Sequence, residues 1–206
     1  MAAKKKRTTN SKTREEILER SILLFAKSGY NGVSMRDVAA AVRVTPAAIY
    51  YHFTGKEQLY LDTLRHALKE KASALNAALD GEEKPPWARL EAFVGALAQV
   101  LTQEKDFQRL LQWVLLDRND KRLHKLGNTV LKDSFVAVYG LAEKLGNGLD
   151  PHLLAMSIIS LVVFPFEAGH ARRFLPGFKP QHDDPGVLAR HVIALLRHGL
   201  SRRGRH

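Results

Sequence analysis

Residues 34–53 read SMRDVAAAVRVTPAAIYYHF, and their punctuation decides the fold. Ser34 is suited to cap a helix, with Asp37 three residues on to favour its positive end. Met35, Val38, Ala39 and Val42 recur at i, i+3, i+4 and i+7, which gives that helix one apolar face. Arg43-Val44 interrupts it. Thr45 is a second cap, and Pro46 takes the first helical position, where its missing N–H costs nothing. Ile49 and Phe53 are four apart and point inward. The stretch predicts two short helices joined by a turn of about three residues, the plan of a helix-turn-helix.

The second helix carries more aromatic surface than one face can bury. Tyr50, Tyr51 and His52 are consecutive, with about 100° between each and the next, so they cannot all meet one core. Taken alone, the tyrosines read best as ordinary half-buried aromatics. With Thr45-Pro46 ahead and Lys56 behind, they read as the outward side of a helix that docks in a groove. His52 either shares that role or bonds within the domain.

Working outward, Ile17, Leu18, Ser21, Ile22 and Phe25 form a helical stripe before the motif. Thr13 with Glu16 predicts a capping box at its start, and Ser28-Gly29 predicts its end. YNG at 30–32 is a turn, Thr54-Gly55 closes the short aromatic helix, and Lys56 opens a long one reaching 79. DGEEKPP at 80–86 breaks the pattern. Helices follow from Pro86 to Gln103 and around Phe107–Leu115. A polar stretch, DRNDKRLHKLGN at 117–128, precedes a helix through Phe135, Val138 and Leu145. Asp150-Pro151 opens an apolar helix to 168, a long loop spans 174–186, and a last helix covers 187–200. No alternating strand pattern or internal repeat is seen. The expected fold is all-α: a three-helix helix-turn-helix domain at 13–59 followed by a helical region at 60–206.

Composition narrows the partner. The chain has 206 residues and a formal net charge of +11, which favours a polyanion: nucleic acid before an anionic membrane surface. Residues 1–12 hold Lys4, Lys5, Lys6, Arg7 and Lys12 with no acid, and are read as a basic flexible arm. Such an arm is either solvated or laid on phosphates and in a minor groove. The run Arg202, Arg203, Arg205 reads as a solvated tail. Cysteine is absent, which excludes disulfides, thiolate metal sites and a cysteine nucleophile. The N-terminus lacks the apolar core of a secretory signal, and MSIISLVVFPF at 156–166 is too short to span a bilayer. A cytoplasmic protein is expected, with no membrane partner. The histidines show no persuasive metal spacing, and no cofactor motif is present.

Residues 25–59, read as F-x3-G-Y-x2-V-S-M-R-D-V-A-x5-T-x3-I-Y-Y-H-F-x2-K-E-x-L, resemble the DNA-binding domain of the TetR family of one-component bacterial repressors. The resemblance covers about residues 13–60; beyond them it holds only as an all-helical ligand-binding and dimerisation architecture. It implies a double-stranded DNA operator, a small-molecule effector and a homodimer. It also implies roles for residues: Ser34 on a phosphate, Thr45, Pro46, Ala47 and Ala48 at the leading turn of the recognition helix, Tyr50, Tyr51 and His52 on bases or backbone, and Lys56 on phosphate. Arg36 is a further candidate for base readout. The family commonly has glycine where this chain has Arg43. That residue either meets a phosphate or is solvated, and a positive φ there would carry a steric cost. Pro46, Ala47 and Ala48 cannot hydrogen-bond base edges but can pack on thymine methyls, so a large backbone share of affinity is expected.

For the second region the resemblance implies dimerisation through about 151–168 and 187–200, and an effector pocket. The candidate lining is Phe93, Leu97, Phe107, Leu110, Trp113, Val114, Phe135, Tyr139, Phe166 and His170, each also readable as plain core. Glu167, His170, Arg172 and Arg173 either anchor a charged group or lie on the surface. Two rival functions stand beside the regulator. An enzyme would have to use His182-Asp183-Asp184 or Glu167 with His170, with no phosphate loop or nucleophile elbow beside them. An architectural protein would bind random and cognate DNA alike.

Overall fold

The computed structural model describes residues 2–79, 83–146, 148–169 and 171–201, with side chains left undescribed at 2–13, 70, 72–74 and 201. His170, the 202–206 tail, residues 80–82 and the side chains of the basic arm therefore lie outside the described residues. Among those described, the regular structure is helical throughout: α1 (Ala2–Ser28), α2 (Met35–Val42), α3 (Pro46–His52), α4 (Lys56–Leu79), α5 (Pro86–Gln103), α6 (Lys105–Leu116), α7 (Asp120–Leu126), α8 (Lys132–Leu145), α9 (Pro151–Glu167) and α10 (Pro185–Ser201). A π-helical turn at Gly127–Leu131 separates α7 from α8; a 3₁₀ turn at Ala171–Phe174 leads into the segment read as a long loop, and another at Pro180–Asp183 lies within it.

The chain divides into two compact units. One comprises Met1–Glu70 with Asp106–Val130, the other Lys71–Lys105 with Leu131–His206. In this division α6 beyond its first residue and α7 group with the helix-turn-helix.

In the first unit the caps fall where the residues place them. Ser34 accepts from the Asp37 N–H at 3.2 Å, while Asp37 accepts from the Ser34 N–H at 2.7 Å. Thr45 Oγ1 accepts from the Ala48 N–H at 3.3 Å, and Pro46 occupies the first turn of α3. Gly29, at φ 65°, ends α1 in the left-handed region. Ile17, Phe25, Val38, Ile49, Phe53 and Leu59 are buried, and α2 packs on both α1 and α3. One start differs: α1 begins at Ala2, so Thr13 lies inside the helix and is not its cap. Ala2 to Arg7 are good helix formers, although Thr8, Thr9, Asn10 and Ser11 between them and Thr13 are not, and the backbone of the stretch read as a flexible arm continues α1.

α7 occupies most of the polar stretch. Asn119 caps it by accepting from the Arg122 N–H at 2.9 Å, and its inward side is built from Leu126 and the Arg122 side chain rather than from an apolar stripe.

In the second unit α5 packs against α8, α9 and α10, and α9 also packs against α8 and α10. Leu90, Val94, Ala98, Leu101, Val138, Leu141, Ile158, Val162 and Val192 are essentially solvent-free. Asp150 caps α9 by accepting from the Leu153 N–H at 2.8 Å. The apolar residues of α9 and α10, the helices read as the dimerisation pair, divide between buried and exposed positions. Leu154, Ile158, Val162, Val192 and Leu196 are core, whereas Leu153, Met156, Phe164 and Leu195 are exposed. Among the described residues no helix is long and apolar enough to cross a membrane.

Candidate nucleic-acid interface

α3 has seven residues, too few to hold its helix without tertiary support. Ile49 is completely buried and Phe53, its C-cap, nearly so. These two anchors fix the rotation of α3, and the opposite side turns outward. Tyr50 is 55% and Tyr51 75% exposed. Thr45, Pro46 and Ala47 are exposed, and Ala48 and His52 are half-buried. The Tyr51 and His52 rings meet edge to face with centroids 5.2 Å apart.

Ser34, Arg36, Tyr50 and Lys56 are brought together, with Asn31, Gly32, Val33, Met35 and Asp37, around one open cleft of about 630 Å³. Four of the sequence candidates thus come from three helices onto one surface. Ser34 keeps an exposed hydroxyl although it caps α2. The Asp37 carboxyl is held below its usual range by hydrogen bonds with the Ser34 side chain and backbone, with a smaller contribution from the Lys56 charge. It is thus kept ionised, an anion beside an otherwise donor-rich surface.

Arg43 is the C-cap of α2 at φ 61°, ψ 42°, a left-handed conformation. Its N–H donates to the Ala40 carbonyl and the Val44 N–H to that of Ala39, at 3.2 and 2.9 Å. The turn is therefore the glycine-type turn with arginine in it, and the exposed side chain is free of the α2–α3 packing.

Lys56, at the start of α4, is half-buried, and its ammonium lies 4.4 Å from the centre of the Tyr30 ring. Burial lowers its pKa first, and repulsion by Arg122 adds to that, against the pull of Asp37. His52 is likewise held below the ordinary imidazole value by burial and then by the Arg14 charge. Arg14 lies over the Phe53 ring at 5.0 Å and pairs with Asp62 at 2.7 Å.

The pocket candidates do not share one unit. Phe107, Leu110, Trp113 and Val114 belong to the first; Phe93, Leu97, Phe135, Tyr139 and Phe166 belong to the second. Phe93, Leu97, Phe107, Leu110 and Phe166 are buried, Phe135 stacks tilted on His152, and Tyr139 is half-buried. The Trp113 indole N–H donates to the Ala26 carbonyl at 3.1 Å, and a Cβ on Gly29 would sit 2.7 Å from its ring. Its indole is thus spent on the end of α1. A separate half-open cavity of about 490 Å³, lined by Pro165, Leu175, Phe178, Leu188, His182 and His191 among others, lies in the second unit. Among the described residues no group of three His, Asp or Glu side chains is arranged to hold a metal ion.

Sequence reasoning missed Tyr30 and the Asp117–Arg122 pair, which pack behind Lys56. The Gly29-Tyr30 pair was a signal for the first; nothing local marked the other two.

Comparison with known proteins points to the same fold. The model of the bacterial regulatory proteins, tetR family, matches residues 17–63. The uncharacterized HTH-type transcriptional regulator YerO of Bacillus subtilis (strain 168) is 25% identical over 149 residues, 71% of this chain and 52% of its own. The HTH-type transcriptional repressor DhaR of Mycobacterium sp. (strain GP1) is 26% identical over 88 residues, 43% of this chain and 44% of its own. The chain thus spans about half or less of the length of these curated relatives. The crystal structure of AibR in complex with isovaleryl coenzyme A and operator DNA aligns over 89% of this chain and 97% of AibR. Its TM-score is 0.67 at 21% identity, a likeness of fold.

Proposed function

Because the chain belongs to the tetR family of helix-turn-helix transcriptional regulators, we propose that it is a DNA-binding repressor released by a small-molecule effector. It acts as a dimer on a palindromic operator in the cytoplasm, and it is not an enzyme. The observation that carries this reading is the single outward surface on which Ser34, Arg36, Tyr50 and Lys56 meet beside the exposed Tyr51. α3 enters a major groove, with Thr45 to His52 facing bases and backbone, while Ser34, Arg43 and Lys56 meet phosphates. The repressor assignment leans on DhaR, whose name carries that activity. The dimer is supported by the exposed Leu153, Met156, Phe164 and Leu195 on α9 and α10, since an operator with two-fold symmetry calls for a two-fold protein.

The effector shifts the balance between DNA-competent and DNA-free states by binding one of them more tightly. AibR, of like fold, was captured with both operator DNA and isovaleryl coenzyme A, so acyl-coenzyme A thioesters open the panel to be screened.

The test is fluorescence anisotropy with labelled DNA from the gene's own upstream intergenic region, beside a scrambled duplex, across a salt series. Cognate preference that survives physiological salt and falls on Tyr50→Ala is expected. Equal affinity for both duplexes, repeated after selection from random DNA, would favour a sequence-neutral architectural protein instead.

A further inference from the structure

Lys56 does not stand alone at the DNA face. Its ammonium and the Arg122 guanidinium share one aromatic ring, Tyr30, at 4.4 and 3.9 Å from its centre. Such contacts are attractive and sharpen as the cation loses water. Arg122 is only 8% exposed. Its Nη2 donates to Asp117 Oδ1 at 2.6 Å, and its Nε donates to the other carboxylate oxygen. With both hydrogen bonds committed to one buried carboxylate, the guanidinium is a fixed plate and not a mobile surface cation. Tyr30 is held from a second side by Tyr60, edge to face at 5.2 Å.

α7 makes one further contact with the start of α4. Lys125 pairs with Glu57 at 2.6 Å, which occupies the acid adjacent to Lys56 in sequence. The helix that fixes the ring beneath Lys56 also engages the neighbouring carboxylate. Arg122, a like charge close by, opposes any inward collapse of the ammonium.

We propose that Arg122, locked by Asp117, is a positioning residue for DNA binding: it fixes the Tyr30 ring on which Lys56 rests and so presents the Lys56 ammonium to phosphate. This rests on the DNA-binding reading above. A phosphate contact is indifferent to sequence, so a random-sequence duplex is a sufficient probe and the operator is not required.

The experiment measures affinity of the full chain for that duplex by anisotropy between about 50 and 200 mM salt, where each phosphate contact contributes about 0.9 to the log–log slope. Lys56→Ala is expected to lower the slope by about one ion per protomer. Tyr30→Leu and the paired Asp117→Asn/Arg122→Gln variant, which removes both buried charges together, are expected to lose most of that same ion. Tyr30→Phe, which keeps the ring, is expected to retain it. Adding Lys56→Ala to either defective variant should cost nothing more.

Folded Tyr30→Leu protein with an unchanged slope would overturn the proposal, as would losses that add to that of Lys56→Ala. If the paired variant fails to fold by circular dichroism, the contrast between Tyr30→Leu and Tyr30→Phe decides, since Tyr30 is half-buried and leucine fits an apolar site. Wild-type protein with no salt-dependent affinity would instead overturn the DNA-binding reading and this one with it, an outcome distinct from steep wild-type binding that ignores Tyr30.

Discussion

Two residues carry a cost that a simpler side chain would lift. Arg43 is held at φ 61°, where a side chain costs about 1–2 kcal/mol. Glycine removes that cost but adds freedom to the unfolded chain, about 0.4–1 kcal/mol. Arg43→Gly is therefore expected to stabilise by about 0.5–1 kcal/mol in urea unfolding. If arginine is kept for phosphate contact, the same variant will show a shallower salt slope on DNA; if it is solvated, the slope will not change. His52 makes the second case. Its folded pKa is depressed by burial and by Arg14, so the unfolded chain takes up the proton first. Stability is then expected to fall as pH drops through the unfolded value of about 6.5, and to be unaffected by this group well above it. An NMR titration should find His52 below its ordinary value. Arg14→Gln should raise it only in part, because burial is the larger cause.

At the scale of elements, the close seat of Trp113 on Gly29 joins α6 to the end of α1. Gly29→Ala meets two obstacles, a left-handed backbone and an indole 2.7 Å from the new methyl. A loss of about 2–4 kcal/mol is expected from their sum, measurable as a lowered thermal midpoint. Such contacts also explain what could be read in the sequence. Ser34, Thr45, Pro46, Gly29 and Lys56 were legible because a cap or a stop acts within about four residues of itself. Trp113 was not, since its partner Ala26 is 87 residues away. α7 was passed over because its buried side holds an ion pair, Asp117–Arg122, where an apolar stripe would have been recognised. Thr13 misled in the other direction: a cap-like residue marks a start only where the preceding backbone leaves the helix, and here α1 runs through it. On α9 and α10 apolar residues lie both in the core and exposed, and residue type alone does not separate the two.

Over the whole molecule, charge and assembly are the levers. A net charge of +11 strengthens encounter with DNA at low salt and exaggerates affinity for any duplex there, so specificity is to be judged at physiological ionic strength. Phe164 is 68% exposed on α9, and its replacement leaves the core residues of that helix in place. If this face forms the proposed dimer, Phe164→Glu is expected to give a folded chain whose dimer dissociation constant rises at least about 30-fold, the weight of one hot-spot aromatic. Sedimentation equilibrium would show it, and unchanged association would move the interface elsewhere. The first unit, finally, is assembled from two separated stretches, Met1–Glu70 and Asp106–Val130. A ribosome that has released only the helix-turn-helix has not yet made Trp113, Asp117 or Arg122. The helix-turn-helix unit is complete only after Val130 has emerged, when the α5 segment of the other unit has already been synthesised. A chain truncated in between would carry α3 complete but on an unfinished support, without the Trp113 seat on the end of α1.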